Sequence, residues 1–72
     1  MGAEELDDIS DELRRLSERL ADEAIALLHA AMRTDDAKRS AEAVREKLVT
    51  RARRSVDKAA HLLSQIASEG DG

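Results

Sequence analysis

Lys47, Arg51, Arg54 and Lys58 recur at i, i+4, i+7 and i+11, a spacing that places four cations on one helical face over ~16 Å. A row of that kind could follow a phosphate backbone, with an affinity that falls as salt rises. The rest of the chain does not reinforce this chemistry. Phe, Tyr and Trp are absent, so nothing can stack on a base, and the formal net charge of −4 sets a repulsive field around any polyanion. The other reading is that the stripe is either paired with acids of helix one, in the same chain or in a second copy, or simply a solvated face, and this is the expectation we take forward. Phosphate binding through these four residues is the alternative.

The histidines are the next candidates, since only their unperturbed pKa lies near neutrality. His61 has Asp57 four residues before it and Ser64 three after, so all three can share a helical face as an acid–base or metal-binding group. A local surface hydrogen bond explains the same spacing. His29 is the polar residue within AIALLHAAM (24–32), where an interface histidine is the simpler reading. Neither histidine belongs to HExxH or to the Glu-x-x-His of di-iron bundles, because Ala26 and Lys58 occupy the positions three before them. Cysteine is absent, which removes thiolate nucleophiles, thiolate metal sites and disulfides. The three glycines, Gly2, Gly70 and Gly72, lie near the ends and form no phosphate-cradling loop. The expectation is a non-enzymatic chain with no catalytic residue, metal or cofactor.

Helices must carry these groups. Proline and aromatic residues are absent and Ala, Leu, Glu, Asp and Arg dominate. The first helix is expected over about 4–33, with apolar positions Leu6, Ile9, Leu13, Leu16, Leu20, Leu27 and Ala31 forming a narrow seam. Past Asp22 and Glu23 the stretch 24–32 is apolar on every side. The second helix is expected over about 37–68, through Ala37, Ala41, Val44, Leu48, Ala52, Val56, Ala59, Leu63 and Ile66. A turn at about 34–36, with Thr34 as N-cap and Asp35 and Asp36 favouring the helix start, gives an antiparallel hairpin. Gly70 suits the position after the last helical residue, leaving a frayed tail at 69–72. Because no Gly or Pro enforces the turn, one long helix pairing as an antiparallel dimeric coiled coil is the alternative architecture.

Residues 4–33 hold nine acids and four bases, whereas residues 37–68 hold eight bases and three acids. An acidic helix folded against a basic one would set Glu18, Asp22 and Glu23 near the level of Lys47 and Arg51, and Asp11 and Glu12 near Lys58. A single hairpin of 72 residues leaves much apolar surface wet, so self-association of a single-domain chain into a four-helix bundle is expected, a homodimer being simplest. The expected oligomer interface comprises Leu13, Leu16, Leu20, Ile25, Leu27, Leu28, Met32, Val44, Leu48, Val56 and Leu63. No apolar run reaches the ~20 residues of a membrane span, and MGAEELDD is acidic where a secretory leader would be basic. The expected role is that of a cytoplasmic regulator or accessory subunit that binds itself and a protein partner, with nucleic acid as the alternative ligand.

Overall fold

The computed structural model describes residues 2–33 and 35–70. They form two helices, α1 (Ala3–Met32) and α2 (Asp36–Gly70), packed side by side as an antiparallel hairpin. At the start of α1 the Gly2 carbonyl accepts the N–H groups of Glu5 (3.2 Å) and Leu6 (3.5 Å), and Glu4 and Glu5 put negative charge at the positive end of the helix dipole. The helix tightens as it stops, the Arg33 N–H reaching back three residues to the Ala30 carbonyl at 3.1 Å. In α2 the Asp35 carbonyl accepts the Arg39 N–H at 2.7 Å, which makes Asp35 the N-cap position. Thr34, the expected cap, lies outside the described residues. The far end of α2 runs on through Ser68 and Glu69 to Gly70, beyond the expected stop at 68.

The continuous-helix alternative is thereby overturned, and the reversal has an identifiable fastener. Arg39 Nε donates to the Ala31 carbonyl at 3.0 Å, tying the first turn of α2 to the last turn of α1. No described residue has positive φ, so this part of the reversal needs no glycine.

Burial defines the seam. On α1 it runs through Leu6, Ser10, Leu13, Ser17, Leu20, Ala24, Leu27 and Ala31, in alternating steps of four and three. On α2 it runs through Glu42, Glu46, Val49, Arg53, Val56, Ala60, Leu63 and Ala67. Hydrogen bonds joining Ser10 with Ala60 and Ser64, and Arg39 with Ala31, fix the register: facing residues have numbers adding to between 70 and 74. Leu13 therefore lies level with Ala60, Ser10 with Leu63, and Ser17 with Val56, so large side chains on one helix meet small ones on the other. The deepest positions are all small: Ser10 is 0 % exposed, Ala60 1 % and Ala67 3 %. Small side chains there let the helix backbones approach closely.

The expected apolar faces mixed this seam with its flanks. Ile9 and Leu16 lie outside it on α1, as do Ala41, Val44, Leu48, Ala52 and Ile66 on α2. The seam instead takes Ser10, Ser17, Val49, Ala60 and Ala67, together with charged residues near the turn.

Candidate functional site

Beginning at the seam, a chain of side-chain hydrogen bonds crosses the hairpin. Ser10 Oγ donates its one proton to the Ala60 carbonyl at 2.9 Å, so the 2.9 Å contact with Ser64 Oγ is donated by Ser64. Arg14 Nη2 in turn donates to Ser64 Oγ at 3.0 Å. This network satisfies the fully buried Ser10 and orients the flanks. Arg14 and Ser64 each follow a seam leucine by one residue, and their bond places those positions on one side of the hairpin. Residues that precede Ser10, Ser17, Ala60 and Ala67 by one must then lie on the other side, and these are Ile9, Leu16, Ala59 and Ile66.

The eleven residues expected at an oligomer interface divide accordingly. Leu13, Leu20, Leu27, Val56 and Leu63 are half-buried in the seam between α1 and α2. Leu16, Ile25, Leu28, Met32, Val44 and Leu48 are exposed on the outside. Those six do not share one face: Leu16 lies on the Ile9 side, and Leu28, which follows seam residue Leu27, lies on the Arg14 side. Ile9 and Ile66, expected on the apolar faces of the two helices, and Leu62, which sequence reading passed over, are exposed too. The spacing of Leu48 to Ala52 and of Leu62 to Ile66, four residues each, would have placed them in one stripe on the Ile9 side.

Lys47, Arg51, Arg54 and Lys58 are all exposed, as expected of a stripe. Within the chain their expected pairing with Glu18, Asp22 and Glu23 does not form, and Asp11 and Glu12 likewise stay clear of Lys58. The ion pairs Arg14–Asp11, Arg39–Asp36, Arg45–Glu42 and Arg53–Asp57 each join neighbours on one helix. None of the four stripe cations lies within 4.0 Å of an acid among the described residues. The register was sound but the direction was not, because the stripe points outward, away from α1. Arg53 alone of the cluster turns toward the seam. Lys47, Arg51 and Arg54 border a shallow groove with Glu46 and Thr50, whose hydroxyl donates to Glu46 Oε1 at 2.8 Å.

His61, Asp57 and Ser64 do not act as a unit. Asp57 faces Arg53 at 3.7 Å, Ser64 belongs to the Ser10 network, and His61 is exposed. His29 is exposed beside Met32 and Arg33 at the turn, at the opposite end of the hairpin. No group of three or more His, Asp or Glu side chains is placed to hold a metal among the described residues, and no described helix is long and apolar enough to cross a membrane. Comparison with protein-family models, with curated proteins and with solved structures found no match.

Proposed function

We propose that the protein is a non-enzymatic interaction module that self-associates through the outer faces of its hairpin and, once assembled, presents a rigid helical surface to a protein partner as a regulator or accessory subunit. The observation that carries this reading is apolar surface. Nine large aliphatic side chains among the described residues are 40 % exposed or more, and the core holds only alanines and serines at full burial. The accessible surface is 5463 Å², against about 4,400 Å² for a compact monomer of 7.9 kDa. The excess, on the order of 1,000 Å² of total area, belongs to an elongated 55 × 14 × 14 Å hairpin on whose outside those nine side chains lie, a shape that a second copy would make more compact. Sedimentation equilibrium tests the reading, with a dimer expected at micromolar concentration. A monomer that keeps its helical circular dichroism at several hundred micromolar would overturn it.

A second reading has its own observation, the four outward cations, none of which has an acid within ion-pair distance among the described residues. Under it, labelled single-stranded RNA or duplex DNA binds with an affinity that falls steeply with salt. Exchange of Arg51 and Arg54 for Gln should then flatten the salt slope by roughly one unit for each phosphate that is no longer neutralised. Absence of binding by the parent protein at physiological ionic strength removes this reading and leaves the first untouched.

A further inference from the structure

Of the two flanks, the one carrying Ile9, Leu16, Ala59 and Ile66, extended outward by Leu48 and Leu62, is the more apolar. The opposite flank has Leu28, extended outward by Ile25 and Met32, and is interrupted by Asp7, Arg14 and Asp57. We propose that this apolar flank receives a second copy of the chain, and that the two hairpins lie with their turns at the same end, each α1 resting on the other copy's α2. The inference rests on the self-association proposed above and adds its face and its polarity.

Three observations select this arrangement. The first is area. The hairpin spans 55 × 14 Å, so a fully overlapped flank is on the order of 800 Å² for each copy, the usual per-partner area of a stable interface.

The second is the uneven length of the stripe. Ile9, Leu16, Ala59, Leu62 and Ile66 lie in the half remote from the turn, whereas nearer the turn Leu48 is the one large aliphatic side chain named on this flank and Glu23 and Arg45 interrupt it. With the turns together, aliphatic meets aliphatic, and Glu23 of each copy falls near Arg45 of the other. With the turns apart, the aliphatic half of one copy would lie on the charged half of its neighbour.

The third is charge. A two-fold axis along the bundle stacks each α1 on the other copy's α2, and an axis across it stacks like on like. Residues 4–33 carry five more acids than bases and residues 37–68 five more bases than acids, so only the first arrangement sets opposite signs face to face. All neighbouring helices then run antiparallel, as in an up-down bundle.

The chain has no cysteine, so Arg33→Cys, at the exposed end of α1, gives a single site for a spin label. Helices 8–10 Å apart put the two labels about 15–30 Å from each other when the turns coincide. Turns at opposite ends would separate them by about 55 Å, the length of the hairpin. The short distance with a dimeric mass is the expected result. The long distance would overturn the proposed polarity and leave self-association standing, and a monomeric mass without dipolar signal would remove both.

The face is tested by a matched pair, Leu16→Asp and Leu28→Asp, which begin at 44 % and 45 % exposure on opposite flanks. Leu16→Asp should weaken dimerisation at least tenfold while Leu28→Asp leaves it within twofold. The reverse outcome would assign the interface to the other flank. Because the label distance is measured in a chain with both leucines intact, it decides polarity whatever the stability of the two variants.

Discussion

The half of the hairpin remote from the turn and the half beside it use the same α1 pattern and receive different answers from α2. In the remote half, Leu6, Ser10, Leu13 and Ser17 meet Val56, Ala60, Leu63 and Ala67, and the Arg14–Ser64–Ser10–Ala60 chain ties the two helices together. Beside the turn, Leu20, Ala24, Leu27 and Ala31 meet Arg53, Val49, Glu46 and Glu42. Each of those three charges finds its partner on α2 itself. Glu42, its side chain 19 % exposed, pairs with Arg45 at 2.9 Å, and Glu46 accepts from Thr50. Arg53 Nε is buried 3.7 Å from Asp57 Oδ2, too far for a hydrogen bond. One half is therefore joined by close backbone approach and bonds across the seam. The other is covered by the stems of charged side chains and fastened at its end by Arg39.

If that contrast is right, adding bulk should have opposite effects in the two halves. Ala60→Leu forces a larger side chain in where helices touch, and should cost about 1–3 kcal/mol. In a domain of this size each kcal/mol lowers Tm by about 4–8 °C, read by thermal melting at one fixed protein concentration. Glu46→Leu, level with Leu27, should instead raise stability by about 1 kcal/mol, since a half-buried carboxylate gives way to an apolar group. Urea unfolding of both variants checks the sign. A destabilised Glu46→Leu chain would mean that the charged half is as closely fitted as the other.

Smaller effects sharpen the same comparison. Ser10→Ala removes the link between Ser64 and the Ala60 carbonyl and should cost about 0.5–1.5 kcal/mol. Arg39→Gln withdraws the fastener from the Ala31 carbonyl. Its cost should be about 0.5 kcal/mol, because the guanidinium is half exposed and water replaces part of the bond. Hydrogen exchange should locate the two losses in different places, with faster exchange around the Ser10 network in the first variant and around the turn in the second.

This contrast also explains which parts of the molecule were legible in the sequence. The helices, the position of the turn and the register all follow from composition, charge and the Thr34–Asp36 segment. On α1 the leucines at 6, 13, 20 and 27 mark half of the seam at a seven-residue spacing. Its other half was hidden by chemistry, because Ser10 and Ser17 read as surface residues until the hydroxyl of Ser10 is seen to bond across the seam. On α2 the apolar residues occupy two faces, and helical spacing cannot tell a seam from a flank when both are aliphatic. Glu42, Glu46 and Arg53 misled further, since charges at seam positions suggest solvent and here lie along the neighbouring helix. For the stripe at 47–58, the outward, solvated face agrees with one half of the expectation, and pairing with α1 of the same chain does not. Facing levels were inferred correctly, but a level says nothing about whether a side chain points across the seam or away from it.

Exchange of both Arg51 and Arg54 for Gln should have the smallest effect of all. Had these cations paired with Glu18 and Asp22, the double variant would lose about 0.3–1 kcal/mol for each pair. They point away from α1, and no acid among the described residues lies within ion-pair distance of either. Arginine and glutamine have nearly equal helix propensity, so the backbone adds almost nothing to the difference. The melting temperature should therefore change by less than about 2 °C, the equivalent of roughly 0.3 kcal/mol in a domain of this size. Salt supplies the control, because a pair across the seam would be screened above about 0.5 M NaCl and the two chains would converge in stability there. Equal melting at low and high salt would confirm that the stripe faces outward and contributes nothing to the hairpin. A loss at low salt that disappears at high salt would restore the acids of α1 as its partners, and with them the charge-paired hairpin that the sequence first suggests.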